Sequence, residues 1–101
     1  MITLTVYYNK ADDPETFEKR YIAEHMPLVE GWKAMTGQAF GRIATTVSGS
    51  VPFTHLFIGH WESAESLQAD MASDATGPIM KNAGELAPEG FTAVTIEWLA
   101  S

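Results

Sequence analysis

Cysteine is absent from the 101 residues, which excludes disulfides, thiolate nucleophiles and Cys-ligated metal sites. Basic residues are scarce: 6 Lys plus Arg stand against 13 Asp plus Glu, and the formal net charge of −7 belongs to a chain that a nucleic-acid backbone repels. The 3 histidines are widely spaced, with no HExxH or paired-ligand motif, so no metal site is expected. No apolar run reaches the roughly 18 residues of a membrane span, and Met1 leads straight into "ITLTVYY" without a basic leader. These absences imply a soluble, cytoplasmic protein with neither a membrane nor a nucleic-acid partner.

What is present is a core. Hydrophobic residues make up 46% of a chain whose length suits one domain, residues 1–101. "ITLTVYY" alternates Ile2, Leu4, Val6 and Tyr8 with Thr3, Thr5 and Tyr7, the period of a half-buried strand. Asp13 before Pro14 reads as an N-cap followed by proline in the first helical turn. Phe17, Tyr21, His25, Leu28, Val29 and Trp32 then recur at helical spacing, and Pro27 is expected to kink or end the helix near Met26. "FGRIATTVSG" reads as a second strand and "FTHLFIGHW", Phe53 to Trp61, as a third. "SAESLQADMAS" is a second helix that "TGP" interrupts and "IMKNAGEL" resumes, and "FTAVTIEWL" is a closing strand.

The order β-α-β-β-α-β predicts an α+β, ferredoxin-like sandwich: a four-stranded antiparallel sheet with its helices on one face. The bare face is expected to carry Thr3, Thr5 and Tyr7 together with His55, Phe57 and Trp61. So aromatic a surface calls for cover, and a homodimer supplies it. His60, of opposite parity to His55, is expected among the helices or at an edge. Trp32, Trp61 and Trp98 read as core or dimer contacts.

The block "LTVYYNKADDPETFEKRYIAEHMPL", a strand and an Asp-Pro loop followed by Phe, Tyr and His-x-Pro-Leu, resembles the EthD family, named for ethyl tert-butyl ether degradation. "VPFTHLFIGHWESAESLQADMAS" resembles that family's second half, with Thr54 inserted between the usual aromatic-His pair. The resemblance spans nearly the whole chain. It implies a dimeric α+β barrel, in which two sheets pack face to face and each subunit keeps a pocket between sheet and helices. It also implies a small, largely apolar or aromatic organic substrate. Relatives in that superfamily include cofactor-free monooxygenases, polyketide cyclases, lactone isomerases and decarboxylases, a range that fold alone does not narrow.

His25 stands at the centre of the functional question. An imidazole titrates near neutrality, as acid–base catalysis requires, and Tyr21 lies one helical turn before it. The competing reading is a polar residue at a helix end, bonded to the last carbonyls. His55 divides in the same way between ligand contact and satisfied core histidine.

Two functional classes stand open. In one, the protein is an enzyme without a bound cofactor, catabolic or polyketide-type, with His25 as acid–base, Tyr7 or Tyr21 steadying an oxyanion, and His55, Phe57, Trp61 and Leu28 lining the substrate site. In the other, it is a non-catalytic module that binds a hydrophobic metabolite and delivers it to a separate oxygenase.

Overall fold

The computed structural model describes residues 1–100. The strands are β1 (Ile2–Asn9), β2 (Gly37–Arg42), β3 (Phe53–Trp61) and β4 (Phe91–Glu97), ordered β2-β3-β1-β4 and antiparallel throughout. The helices α1 (Pro14–Arg20), α2 (Met26–Val29), α3 (Ala64–Met71) and α4 (Thr76–Leu86) complete the ferredoxin-like α+β architecture that the element order predicts.

Strand register decides which side chains meet. Leu4 opposes Gly59, Val6 opposes Phe57 and Tyr8 opposes His55, so these residues share one face, and it is the face the helices cover. The expected grouping of His55, Phe57 and Trp61 with Thr3, Thr5 and Tyr7 is therefore corrected. Alternation within a strand sorts side chains into two sets, but only the pairing says which set faces which layer. The helix-free face instead carries Thr3, Thr5 and Tyr7 with their partners His60, Ile58 and Leu56 from β3 and Ile96, Val94 and Thr92 from β4. His60 lies there too, away from the helices.

Three boundaries also differ from the expected ones. β2 ends at Arg42, because Ile43 makes the last backbone bond to the neighbouring strand, at Thr54, and beyond it the chain has no partner. Val47 is 97% exposed, so the β-branched run of residues 45–47 lies in a loop. The helix break falls before Thr76, and "TGP" opens α4, where Pro78 sits in the first turn and has no intrahelical N–H bond to lose.

The third difference concerns Pro27. The helix does not end at Met26. It continues through a π-helical turn, Tyr21–His25, in which the Met26 N–H bonds back to the Tyr21 carbonyl, and runs on as α2. Pro27 offers no N–H to the carbonyl of Ala23 four residues earlier and presses its ring against it, and a widened turn relieves both faults.

Caps and one buried carboxylate fix the remaining layers. Asp13 accepts from the Thr16 N–H at 3.2 Å as the N-cap of α1, and Ser63 forms a reciprocal capping box with Ser66 at the start of α3. Asp70 on α3 is buried and accepts from the Trp61 indole at 2.7 Å and from the Ala34 and Met35 amides at 3.0 Å each, tying β3 to the loop after α2. The Trp61 ring folds back over Gly59, where an added Cβ would lie 3.0 Å from it, so glycine makes the room.

Candidate functional site

Between the sheet and α4 lies a cavity of about 200 Å³. Leu4, Val6 and Phe57 form its floor, and Ile79, Met80 and Ala83 form its roof. Met80 and Ala93 are its exposed lining residues, which puts its opening between α4 and the edge strand β4. His25, Tyr8 and Trp32 are the lining residues whose side chains carry nitrogen or oxygen, and the Trp32 indole N–H is already committed to Thr76 Oγ1 at 2.9 Å.

His25 closes the π-helical turn and is buried. Its Nδ1 lies 2.9 Å from Asn82 Oδ1 on α4. The orientation of that amide is set from behind: Asn82 Nδ2 donates to Glu24 Oε1 at 3.4 Å, and Glu24 is held by Arg20 through bonds of 2.8 and 3.1 Å. With the amide nitrogen turned to a carboxylate, its oxygen faces His25 and must accept, so Nδ1 carries the proton. Nε2 then holds the lone pair and has no hydrogen-bond partner among the described residues. Burial lowers the His25 pKa, and the Asn82 bond opposes this only in part, so the ring is neutral at neutral pH. The arrangement leaves one imidazole nitrogen able to accept a proton.

Two phenols stand beside it. The Tyr21 ring lies 4.6 Å from the His25 ring, stacks on Phe40 at 3.8 Å, and places its hydroxyl 3.1 Å from that of Tyr8. Tyr8 itself lines the cavity. When Tyr21 donates to Tyr8, the Tyr8 O–H is left free to donate to another group. Burial pushes the Tyr8 pKa up to about 12 and raises that of Tyr21 further, so both stay protonated as donors.

The expected site residues separate in space. His25 and Phe57 line the cavity, and Tyr21 supports it from behind. Tyr7 is on the opposite face of the sheet, its ring 4.9 Å from that of Phe53, because it alternates with Tyr8. His55 is buried away from this cavity, beside a shallower recess lined by Ile22, Phe40 and Arg42. Its Nε2 donates to Glu18 at 2.7 Å and its Nδ1 accepts from the Thr54 hydroxyl at 2.8 Å, so both nitrogens are spent. That His55 bond, with the Arg42 charge, holds the Glu18 carboxyl below the usual range. Trp61 is packed against Trp32 and tied to Asp70, and Leu28 is 37% exposed and outside the cavity.

Tyr8 and Asn82 are the residues the sequence reading passed over. The β1 alternation already set Tyr8 apart from Tyr7, so that signal was present. Asn82 carried none, since it lies 57 residues from His25 in the chain.

Neither a family model nor a curated protein matches the sequence. Solved structures do match in fold. An EthD family protein of Bacillus halodurans C-125 superimposes with a TM-score of 0.87 at 24% identity, over 98% of this chain and 99% of that one. SnoaB, a cofactor-independent oxygenase from Streptomyces nogalater, gives a TM-score of 0.71 at 11% identity, over 99% and 94%. A dimeric ferredoxin-like protein of unknown function from Thermobifida fusca gives 0.69 at 9% identity, over 96% and 89%. Along essentially its whole length, the chain is similar in fold to an EthD family protein.

Proposed function

We propose that the protein is a small EthD-like enzyme that acts, without a bound cofactor, on a small and largely apolar organic molecule, with His25 as general base. One observation carries this reading: Asn82 fixes the proton on His25 Nδ1, and the opposite nitrogen lies unpartnered beside an apolar cavity. Nε2 takes a proton from a carbon next to a carbonyl, and the C–H electron pair becomes the enolate. Its oxygen then accepts a hydrogen bond from Tyr8, backed by Tyr21. The proton on Nε2 returns to the substrate at the same or a conjugated carbon. SnoaB supports the cofactor-free part of the reading, since a fold of this kind serves there as a cofactor-independent oxygenase. The dimeric Thermobifida fusca protein supports a homodimer, and the helix-free sheet face is the surface proposed for it.

Replacement of His25 by Asn tests the base. Turnover on a panel of phenolic, lactone and β-keto compounds should fall by about 10²–10⁴-fold while ligand affinity is largely kept. Unchanged turnover in a folded His25→Asn protein would leave a binding and delivery module as the better reading.

A further inference from the structure

We infer that the cavity takes an uncharged compound of about one ring, with a single carbonyl oxygen at one end and an acidic C–H beside it, bound oxygen-first against Tyr8 and His25. The inference rests on the base assignment above for its chemistry, but its recognition argument is independent. The polar groups open to a ligand, the Tyr8 hydroxyl and His25 Nε2, belong to side chains that both pack on Tyr21, with ring separations of 5.4 and 4.6 Å. They therefore mark one end of the cavity. Apart from Trp32, whose N–H is committed to Thr76, the remaining lining, Phe57, Met71, Ile79, Ala83 and Phe91 among it, offers only hydrocarbon and sulfur.

Charge is excluded by what the lining lacks. No Lys or Arg is among the lining residues, and Arg20, behind Asn82, is already committed to Glu24. His25, held neutral by burial, supplies no cation either. A carboxylate or phosphate entering here would lose its hydration with only the Tyr8 hydroxyl and no cation to replace it, inside a chain whose net charge is already −7. Size is bounded as well. A dry cavity of about 150 Å³ accommodates benzene. The roughly 200 Å³ present here admits one ring with a small substituent or a fused five-membered ring, and it is too small for three fused rings. Within that class, a ketone or lactone sets its oxygen on the Tyr8 hydroxyl and presents the adjacent C–H to Nε2. Proton transfer then gives the enolate and the imidazolium, and return of the proton restores both.

Titration calorimetry with 2-indanone, indane-2-carboxylate and anthrone tests recognition, and deuterium uptake by 2-indanone in heavy water tests the proton step. We expect saturable binding of 2-indanone, at least about 100-fold weaker binding of the carboxylate, and none of anthrone. Tyr8→Phe should weaken 2-indanone binding several-fold. Ala93→Trp, at an exposed position of the cavity mouth on a strand that tolerates aromatics, should abolish binding in a folded protein and so tie it to this cavity. Carboxylate binding as tight as that of the ketone, uptake of anthrone, full binding in Ala93→Trp, or no saturable binding of 2-indanone at millimolar concentration would each overturn the substrate class. Deuterium uptake equal in wild type and His25→Asn, with the binding pattern intact, would instead overturn the base assignment and leave the recognition argument standing.

Discussion

At the scale of single residues, the proposed chemistry depends on which form of His25 is present. Burial lowers its pKa, so the neutral ring that can act as a base persists to more acidic pH than for an exposed histidine, whose pKa is about 6.5. Turnover should therefore rise with pH to a plateau whose acid limb lies below that value. Removing the Asn82 bond with Asn82→Leu deletes the one interaction that favours the charged ring, so the acid limb should move lower still. The plateau should also fall, because Nδ1–H no longer has an acceptor to select the tautomer. An acid limb that moves upward in Asn82→Leu would contradict this geometry. The same shift has a consequence for stability. Between the ordinary pKa and the lowered one, the unfolded chain binds a proton that the folded chain refuses. Stability contributed here is thus present above the ordinary value and lost as pH falls through the folded pKa. Melting followed down that interval should show the loss in the wild type and less of it in His25→Asn.

At the scale of elements, the π-helical turn is what aims His25. Each residue in a helix turns about 100° around the axis, so widening one turn re-registers all that follows, and His25 and Pro27 sit at that joint. Pro27→Ala restores an N–H that can bond the Ala23 carbonyl and removes the reason for the widening. Turnover should fall by roughly tenfold or more while the melting temperature stays within a few degrees. Unchanged turnover would show that the packing of Val29 and Trp32, not Pro27, holds the turn. The elements themselves were largely legible in sequence: Asp13-Pro14 marked the start of α1, Ser63 and Ser66 that of α3, and the alternation of β1 and β3 gave both strands. The face of β3 was not legible, because Phe57 and Trp61 on one side and Leu56 and Ile58 on the other leave no polar side to mark solvent. His25 was legible from its His-x-Pro-Leu block. Asn82 was not, because a hydrogen bond between distant elements leaves no local pattern.

At the scale of the whole molecule, the helix-free face of the sheet is the surface through which the proposed homodimer would form. Leu56, Ile58, Val94 and Ile96 lie side by side there around Thr5 and Tyr7, with Val94 40% and the following Trp98 48% exposed. Thr3 anchors the corner: its hydroxyl accepts from the Trp98 indole at 2.7 Å and shares a hydrogen bond of 2.9 Å with His60 Nδ1, so Trp98 is held on the sheet rather than trailing from it. An apolar face of this kind, with Thr3, His60 and Trp98 already bonded to one another, suits a self-complementary contact about a two-fold axis. It matches an interface of the ordinary total size, about 1,200–2,000 Å². Val94 is opposite Thr5, midway along the edge strand β4 and away from the cavity, so Val94→Lys places a charge from each protomer on the face of the proposed homodimer contact without touching the site. The wild type should scatter light as a dimer at micromolar concentration. Val94→Lys should scatter as a folded monomer with an unchanged far-ultraviolet dichroism spectrum, and it should still bind 2-indanone, since the cavity is built within one chain. A wild type that stays monomeric at that concentration, or a lysine variant that stays dimeric, would remove this face from the assembly.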